Sequence, residues 1–215
     1  MSRSARRGQN LTAVVLATAL LTAAAMLGAN DLAAAADPAP VAQVRATISE
    51  ASPVFANHQL RPAEHDRQLR VVAEKHFDFA YMAKSALGTH WKKLSAAQRK
   101  EFVPAFEDYV LATYLTTLQQ NTVEAASSGL TDKVTYDDPG TAAVHGDVHL
   151  QMVQDPLHVD YMLNKTPAGW RLFDIVVDNV STLANYREQF NKIINNDGFA
   201  KLLDGLKTRH LPATH

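Results

Sequence analysis

Between Thr131 and Asp178 the chain repeats one pattern, an alternating apolar and polar run followed by a turn. A period of two builds strands with one apolar face, and a helix cannot use it. Lys133–Tyr136 reads as a first strand, closed by the turn Asp137-Asp138-Pro139-Gly140. Val144, Val148, Leu150 and Met152 then alternate with His145, Asp147, His149 and Gln151. After Asp155-Pro156, Leu157, Val159, Tyr161 and Leu163 alternate with His158, Asp160 and Asn164. Lys165–Gly169 turns the chain once more into Trp170–Asp178. Four strands joined by short turns give an antiparallel meander.

The sequence on either side is helical in period. Val41, Val44, Ile48 and Val54-Phe55 predict a first helix ending near Pro53, and a second begins after Arg61-Pro62 with Leu69, Val72, Ala73 and His76 on one side. Phe77–Trp91 is dense in aromatics, with Gly88 as a helix stop. Ser95-Ala96-Ala97-Gln98 is a capping box that opens a long helix. Its apolar side carries Phe102, Phe106, Tyr109, Val110, Tyr114 and Leu118, and Pro104 inside it predicts a kink. Downstream of the strands, Leu183, Tyr186, Phe190 and Ile193-Ile194 line one stripe, and Phe199, Leu202, Leu203 and Leu206 another, before a frayed end at Thr208–His215. Helices before and after a meander predict an α+β fold, a curved four-stranded antiparallel sheet covered by helices on one face, in the manner of an NTF2-like or cystatin-like cone. The aromatic stripe fits either an ordinary core between helix and sheet or the wall of a hollow, and periodicity does not separate the two.

The N-terminus has the form of a secretory signal. Arg3, Arg6 and Arg7 precede an uncharged apolar run from Leu11 to Ala29, and Ala33–Ala36 supplies small residues for cleavage before Asp37. The alternative is an uncleaved membrane anchor, since the run is about long enough to span a bilayer. No Cys stands near the cleavage pattern to carry a lipid anchor. Residues 1–36 are therefore expected to be a signal peptide for export to the periplasm, and 37–215 one domain. Of the 21 basic and 22 acidic residues in the chain, 18 and 21 lie beyond Ala36, a net charge near −3 that argues against nucleic acid as partner. The chain has no Cys, so stability rests on the core, and thiol catalysis and thiolate metal sites are excluded.

Recognisable catalytic motifs are missing. There is no G-x-S-x-G elbow, P-loop, G-x-G-x-x-G or H-E-x-x-H. His145 and His149 sit four apart on a strand, about 13 Å at 3.3 Å per residue, too far to share an ion. No metal and no cofactor is expected. Asp174 reads as sharing a strand face with Leu172 and Val176. It is open to two roles: a buried acid or base with a raised pKa, as in NTF2-like enzymes, or a structural carboxylate that pairs with Arg171 or Arg187 or caps nearby backbone.

Two stretches in order carry a family resemblance. Trp170, Arg171, Asp174, Val180 and Ser181, followed by Asn185, Tyr186, Arg187 and Phe190, fit a Trp-basic-x-x-Asp-x-x-x-x-Gly-Val-Ser then Asn-Tyr-Arg-x-x-Phe pattern. Asn179 replaces the usual Gly, and Asn tolerates a left-handed backbone better than most residues. Upstream, Phe77-Asp78, Leu87-Gly88 with Trp91, and Phe102 with Phe106 match a second signature. The chain thereby resembles the periplasmic toluene-tolerance or MlaC family of phospholipid carriers, from about Phe77 to about Leu206.

That resemblance implies a non-enzymatic carrier with an apolar cavity. It shuttles phospholipid between an inner-membrane ABC transporter complex and an outer-membrane lipoprotein–porin complex, and so maintains outer-membrane lipid asymmetry. A sister branch is associated with hopanoids. Two acyl chains in water cost on the order of 20 kcal/mol at about 0.8 per methylene, so a carrier needs apolar walls. The implied walls are Phe106, Tyr109 and Tyr114 from the long helix; Val148, Leu150, Met152, Val159, Tyr161 and Leu163 from the middle strands; Phe173, Ile175 and Val177 from the last strand; and Tyr186 and Phe190 beyond it. Met152 and Met162 suit an adaptable lining. The headgroup stays in water, with Arg187 and Lys192 as candidate contacts.

Overall fold

A computed structural model of the protein describes residues 39–57, 59–120, 128–138, 140–148 and 157–211. The apolar N-terminal run with its cleavage pattern, His149, Leu150, Gln151, Met152 and the Asp155-Pro156 turn lie outside the described residues, as do the side chains of Tyr114 and Val148.

Four helices precede the sheet. α1 is Ala39–Ala56 and α2 is Pro62–His76, whose first turn uses Pro62 where no backbone donor is needed. α3, Phe79–Leu87, is capped by Asp78, which accepts the Tyr81 N–H at 2.9 Å; it leads through a 3₁₀ turn, Gly88–Lys93, to α4, Ala96–Gln120. The capping box forms in both directions: Gln98 N–H donates to Ser95 Oγ at 3.2 Å and Ser95 N–H to Gln98 Oε1 at 2.9 Å. α1 continues past Pro53, where the sequence predicts an end. Pro53 is exposed in the last turn, so water can satisfy the carbonyl that its missing N–H leaves free.

The sheet is an open antiparallel meander of five strands rather than four, in the order β1 (Ser128–Asp138), β2 (Thr141–Val148), β3 (Leu157–Thr166), β4 (Gly169–Val177) and β5 (Val180–Ser181). The extra strand comes from the polar corner. Asp178 and Asn179 have φ of 46° and 65°, and Val177 pairs with Val180. Positive φ at both central residues is the type I′ requirement, and Asp and Asn meet it. The Asp178 N–H donates to the His158 carbonyl at 2.9 Å and its side-chain Oδ1 accepts the His158 N–H at 3.0 Å, which anchors the turn to β3.

The β3–β4 register shifts between Met162 and Leu163: Met162 faces Asp174 while Leu163 faces Leu172. Phe173 is the extra residue of this bulge, which reverses the alternation of β4. Leu172, Ile175 and Val177 therefore reach one core, and Phe173 packs against the other. Two expectations are corrected by this shift. Asp174 does not share a face with Leu172, and Phe173 does not share one with Ile175 and Val177.

Two further helices, α5 (Thr182–Asp197) and α6 (Phe199–Thr208), close the chain. It does not fray at Thr208: Arg209 turns left-handed at φ 58°, its N–H reaches the Leu206 carbonyl at 3.2 Å, and the His210 N–H reaches Gly205 at 2.9 Å. That is a Schellman stop with Arg in the position Gly usually takes.

The interior divides in two. Met82, Leu87, Phe102, Phe106, Val110, Leu183, Phe190, Ile193, Leu202 and Leu206 form a helical core among α3–α6. Val41, Val44 and Ile48 of α1 form a second core with Val144, Val159, Tyr161, Leu163, Leu172, Ile175 and Val177 of the sheet. Phe77 packs against both. Among the described residues, no helix is long and apolar enough to cross a membrane.

Candidate functional site

The described residues predicted to line an apolar site fall into these two cores. Val159, Tyr161 and Leu163 alternate inward on β3 as expected, and Ile175 and Val177 face them from β4 in register with Tyr161 and Val159. Val144 completes the row opposite Tyr161. Met162 faces away from it, beside Asp174. Burial pushes the Tyr161 hydroxyl well above its usual range. What lies on this face is α1, whose Val41 and Val44 are fully buried against it. Burying Val41, Val44 and Ile48 is worth about 1.5–3 kcal/mol each, enough to make α1 a substantial cover. The sequence shows the Val41–Val44–Ile48 stripe but not its target.

Phe106, Tyr109, Tyr186 and Phe190 belong instead to the helical core. The Phe190 ring meets Phe102 and Phe106 edge-on, with centroids 6.1 and 6.0 Å away. Tyr186 meets Phe106 at 5.8 Å and Tyr109 at 6.2 Å. Phe173 leans on Tyr81 at 4.8 Å. The structure thus brings together Val159, Tyr161, Leu163, Ile175 and Val177 in one core, and Phe173 with the aromatic helix residues in the other.

Asp174 is buried at the β4–β5–α5 corner, 7% exposed. Its Oδ1 accepts the N–H groups of Ile175 at 2.9 Å and Leu183 at 3.0 Å, and its Oδ2 accepts the Ser181 hydroxyl. Ser181 in turn caps α5 by accepting the Ala184 N–H at 2.9 Å. Burial raises the Asp174 pKa, opposed by the Ser181, Leu183 and Ile175 hydrogen bonds and by the Arg187 charge. Of the two roles left open by the sequence, backbone capping is the geometry observed. A carboxylate whose oxygens already accept three donors orders the corner that aims α5.

The two sequence signatures meet in space. Arg187 Nε donates to the Ser85 carbonyl at the end of α3 at 2.9 Å, and its side chain packs 3.6 Å from the place where a Cβ on Gly88 would stand. His90 meets Asn191 at 2.8 Å. Arg187, a candidate headgroup contact, is thus committed to joining α3 and α5, and Lys192 pairs with Glu188 at 2.8 Å. Phe77 bridges Leu172 in parallel, the Asp78 N–H donates to the Leu172 carbonyl, and Arg171 donates to the Glu74 carbonyl at 3.1 Å. The signature residues therefore bolt helices to sheet, a role that spacing alone does not reveal.

A cleft of ≈ 380 Å³ opens to solvent among Glu74, Phe77, Phe79, Val103, Glu107 and Arg171. Burial, followed by the charges of Glu74 and Asp108, raises the Glu107 pKa against the pull of Arg70. None of the predicted ligand contacts lines this cleft. Thr135, His145 and Asp160 form a ladder across β1–β3, at 3.1 and 2.6 Å. Among the described residues no group of three His, Cys, Asp or Glu is placed to hold a metal ion.

No curated protein matches this chain. Among solved structures, it is similar to a phospholipid-binding protein from Ralstonia solanacearum in complex with a phospholipid. The two share 20% identity and a TM-score of 0.66, over 78% of this chain and 94% of that one. The likeness establishes the fold. The family model described as MlaC protein matches residues 44–208, from within α1 to the end of α6 and so across both cores. The chain belongs to the MlaC family.

Proposed function

We propose that the protein is a periplasmic phospholipid carrier, exported by a signal peptide cleaved near Ala36. It moves lipid between an inner-membrane ABC transporter complex and the outer membrane, where a lipoprotein–porin complex is its counterpart. The family match over residues 44–208 carries this reading. The fold it shares with a lipid-bound protein supports phospholipid as the ligand class. The unbroken apolar face of Val144, Val159, Tyr161, Leu163, Ile175 and Val177 supports acyl chains as the part recognised, in a cavity that opens along that face. Binding is the activity proposed rather than turnover, because the oxygens of Asp174 are occupied by the α5 corner.

Native mass spectrometry of the chain purified from a bacterial periplasm tests this. The expected result is a protein beginning near Asp37 with a stoichiometric phospholipid mass. A hopanoid mass moves the protein to the sister branch. A protein empty across several gentle preparations defeats the carrier reading.

A further inference from the structure

We infer that α1 is a displaceable stopper on the acyl-chain site: it takes the place of acyl chains on the sheet face and gives way to them. This rests on the phospholipid reading and deepens it by placing the ligand between α1 and β2–β4.

The seam between α1 and the sheet is the one built to open. α1 meets the sheet through Val41, Val44 and Ile48, apolar against apolar. Its buried hydroxyls are satisfied within its own turns, Thr47 on the Gln43 carbonyl at 2.9 Å and Ser52 on the Ile48 carbonyl at 2.7 Å. Lifting α1 leaves neither hydroxyl without a partner. The apolar sheet face, by contrast, needs an apolar replacement, and acyl chains supply one. The other helices are fastened differently. Asp78 takes the Asn164 amide at 3.0 Å, Arg171 holds the end of α2, and Asp174 holds the start of α5. α1 contributes nothing to the helical core, so that core survives its departure.

The directional contacts described between α1 and its neighbours run to the last turn of α2 and form a clasp. Glu50 sits 2.6 Å from Lys75 Nζ and 3.0 Å from His76 Nε2, and the Gln43 amide donates to His76 Nδ1 at 2.8 Å. An amide N–H can only donate, so His76 Nδ1 is the acceptor of the Gln43 bond. Lys75, and then His76, hold the Glu50 carboxyl below its usual range. These four residues set how readily the stopper lifts, because a ligand that binds only the open form is taken up in proportion to its population.

The chain has no Cys, so Glu50→Cys with Lys75→Cys carries only two thiols, both on exposed side chains, and a short bis-maleimide can join them. Uptake of acyl-labelled fluorescent phosphatidylglycerol from phosphatidylglycerol vesicles is then timed, alongside hydrogen exchange of the stripped protein. Joining α1 to α2 is expected to slow uptake about tenfold, and Gln43→Ala with Glu50→Ala to speed it several-fold. In the latter variant the amides of Val41–Ala51 exchange about tenfold faster while those of α3–α5 are unchanged. Equal uptake by the joined and unjoined forms overturns the stopper while leaving phospholipid binding intact. α1 amides that exchange only with the whole molecule overturn it as well. If no form takes up lipid although α1 exchanges independently, the phospholipid reading itself has failed, and acyl-chain replacement falls with it.

Discussion

Asp174 gives the sharpest test of how the molecule is held together, because its burial and its hydrogen bonds pull in opposite directions. Replacing it with Ala removes three accepted bonds and strands the Leu183 N–H beneath a residue only 4% exposed. An unsatisfied buried donor costs about 1–3 kcal/mol, and loss of a helix cap typically about 1. The expected loss is therefore about 2–4 kcal/mol, or a Tm lower by about 5–15 °C in a domain of this size. Asp174→Asn should cost far less. It keeps Oδ1 for the two backbone donors, and the Ser181 oxygen has a second lone pair for the new amide. The sign of the pH dependence follows from the raised pKa. In the window between the unfolded carboxyl value and the higher folded one, the native state binds more protons, so stability from this group falls as pH rises through it. The advantage of wild type over Asp174→Asn is thus larger near pH 4 than near pH 7. Urea unfolding followed by far-UV circular dichroism at both pH values measures it. An advantage that grows with pH would mean that the hydrogen bonds outweigh burial, and an Ala cost below about 1 kcal/mol would remove Asp174 as the organiser of the corner.

Substitutions at three further positions probe the rest of the frame. Phe190→Ala empties the centre of the aromatic cluster, where Phe190 is fully buried, and should cost about 3–5 kcal/mol by the same urea assay. Gly88→Ala should cost about 1–3 kcal/mol from its φ of 53° and ψ of −124° alone, since the Arg187 contact at 3.6 Å has room for a methyl. At Asn179, φ 65°, Val should cost about 1–2 kcal/mol while Gly is close to neutral, so a large stabilisation by Gly would mean that the turn is strained as it stands. Thermal melts rank the two Asn179 variants directly.

The α+β class, the antiparallel meander and most helices are legible in the chain, because each rests on local periodicity or on chemistry within a few residues. The Ser95–Gln98 box, the inward row Val159, Tyr161 and Leu163, and the tolerance of Asn179 for a left-handed turn are all of this kind. Tertiary structure decided the rest. Leu172–Val177 is apolar on both faces apart from Asp174, so no alternation marks Phe173 as the residue that bulges, and only pairing with β3 reverses the strand. The partner of an apolar stripe is likewise invisible to periodicity. Val41, Val44 and Ile48 show that α1 has a buried side, but not that the sheet face lies under it, while Phe106 and Phe190 pack among helices. Asp174 and Arg187 stand out by type and spacing. Their work, capping α5 and tying it to α3, depends on donors and acceptors 9 and 102 residues away, which only the fold brings within reach.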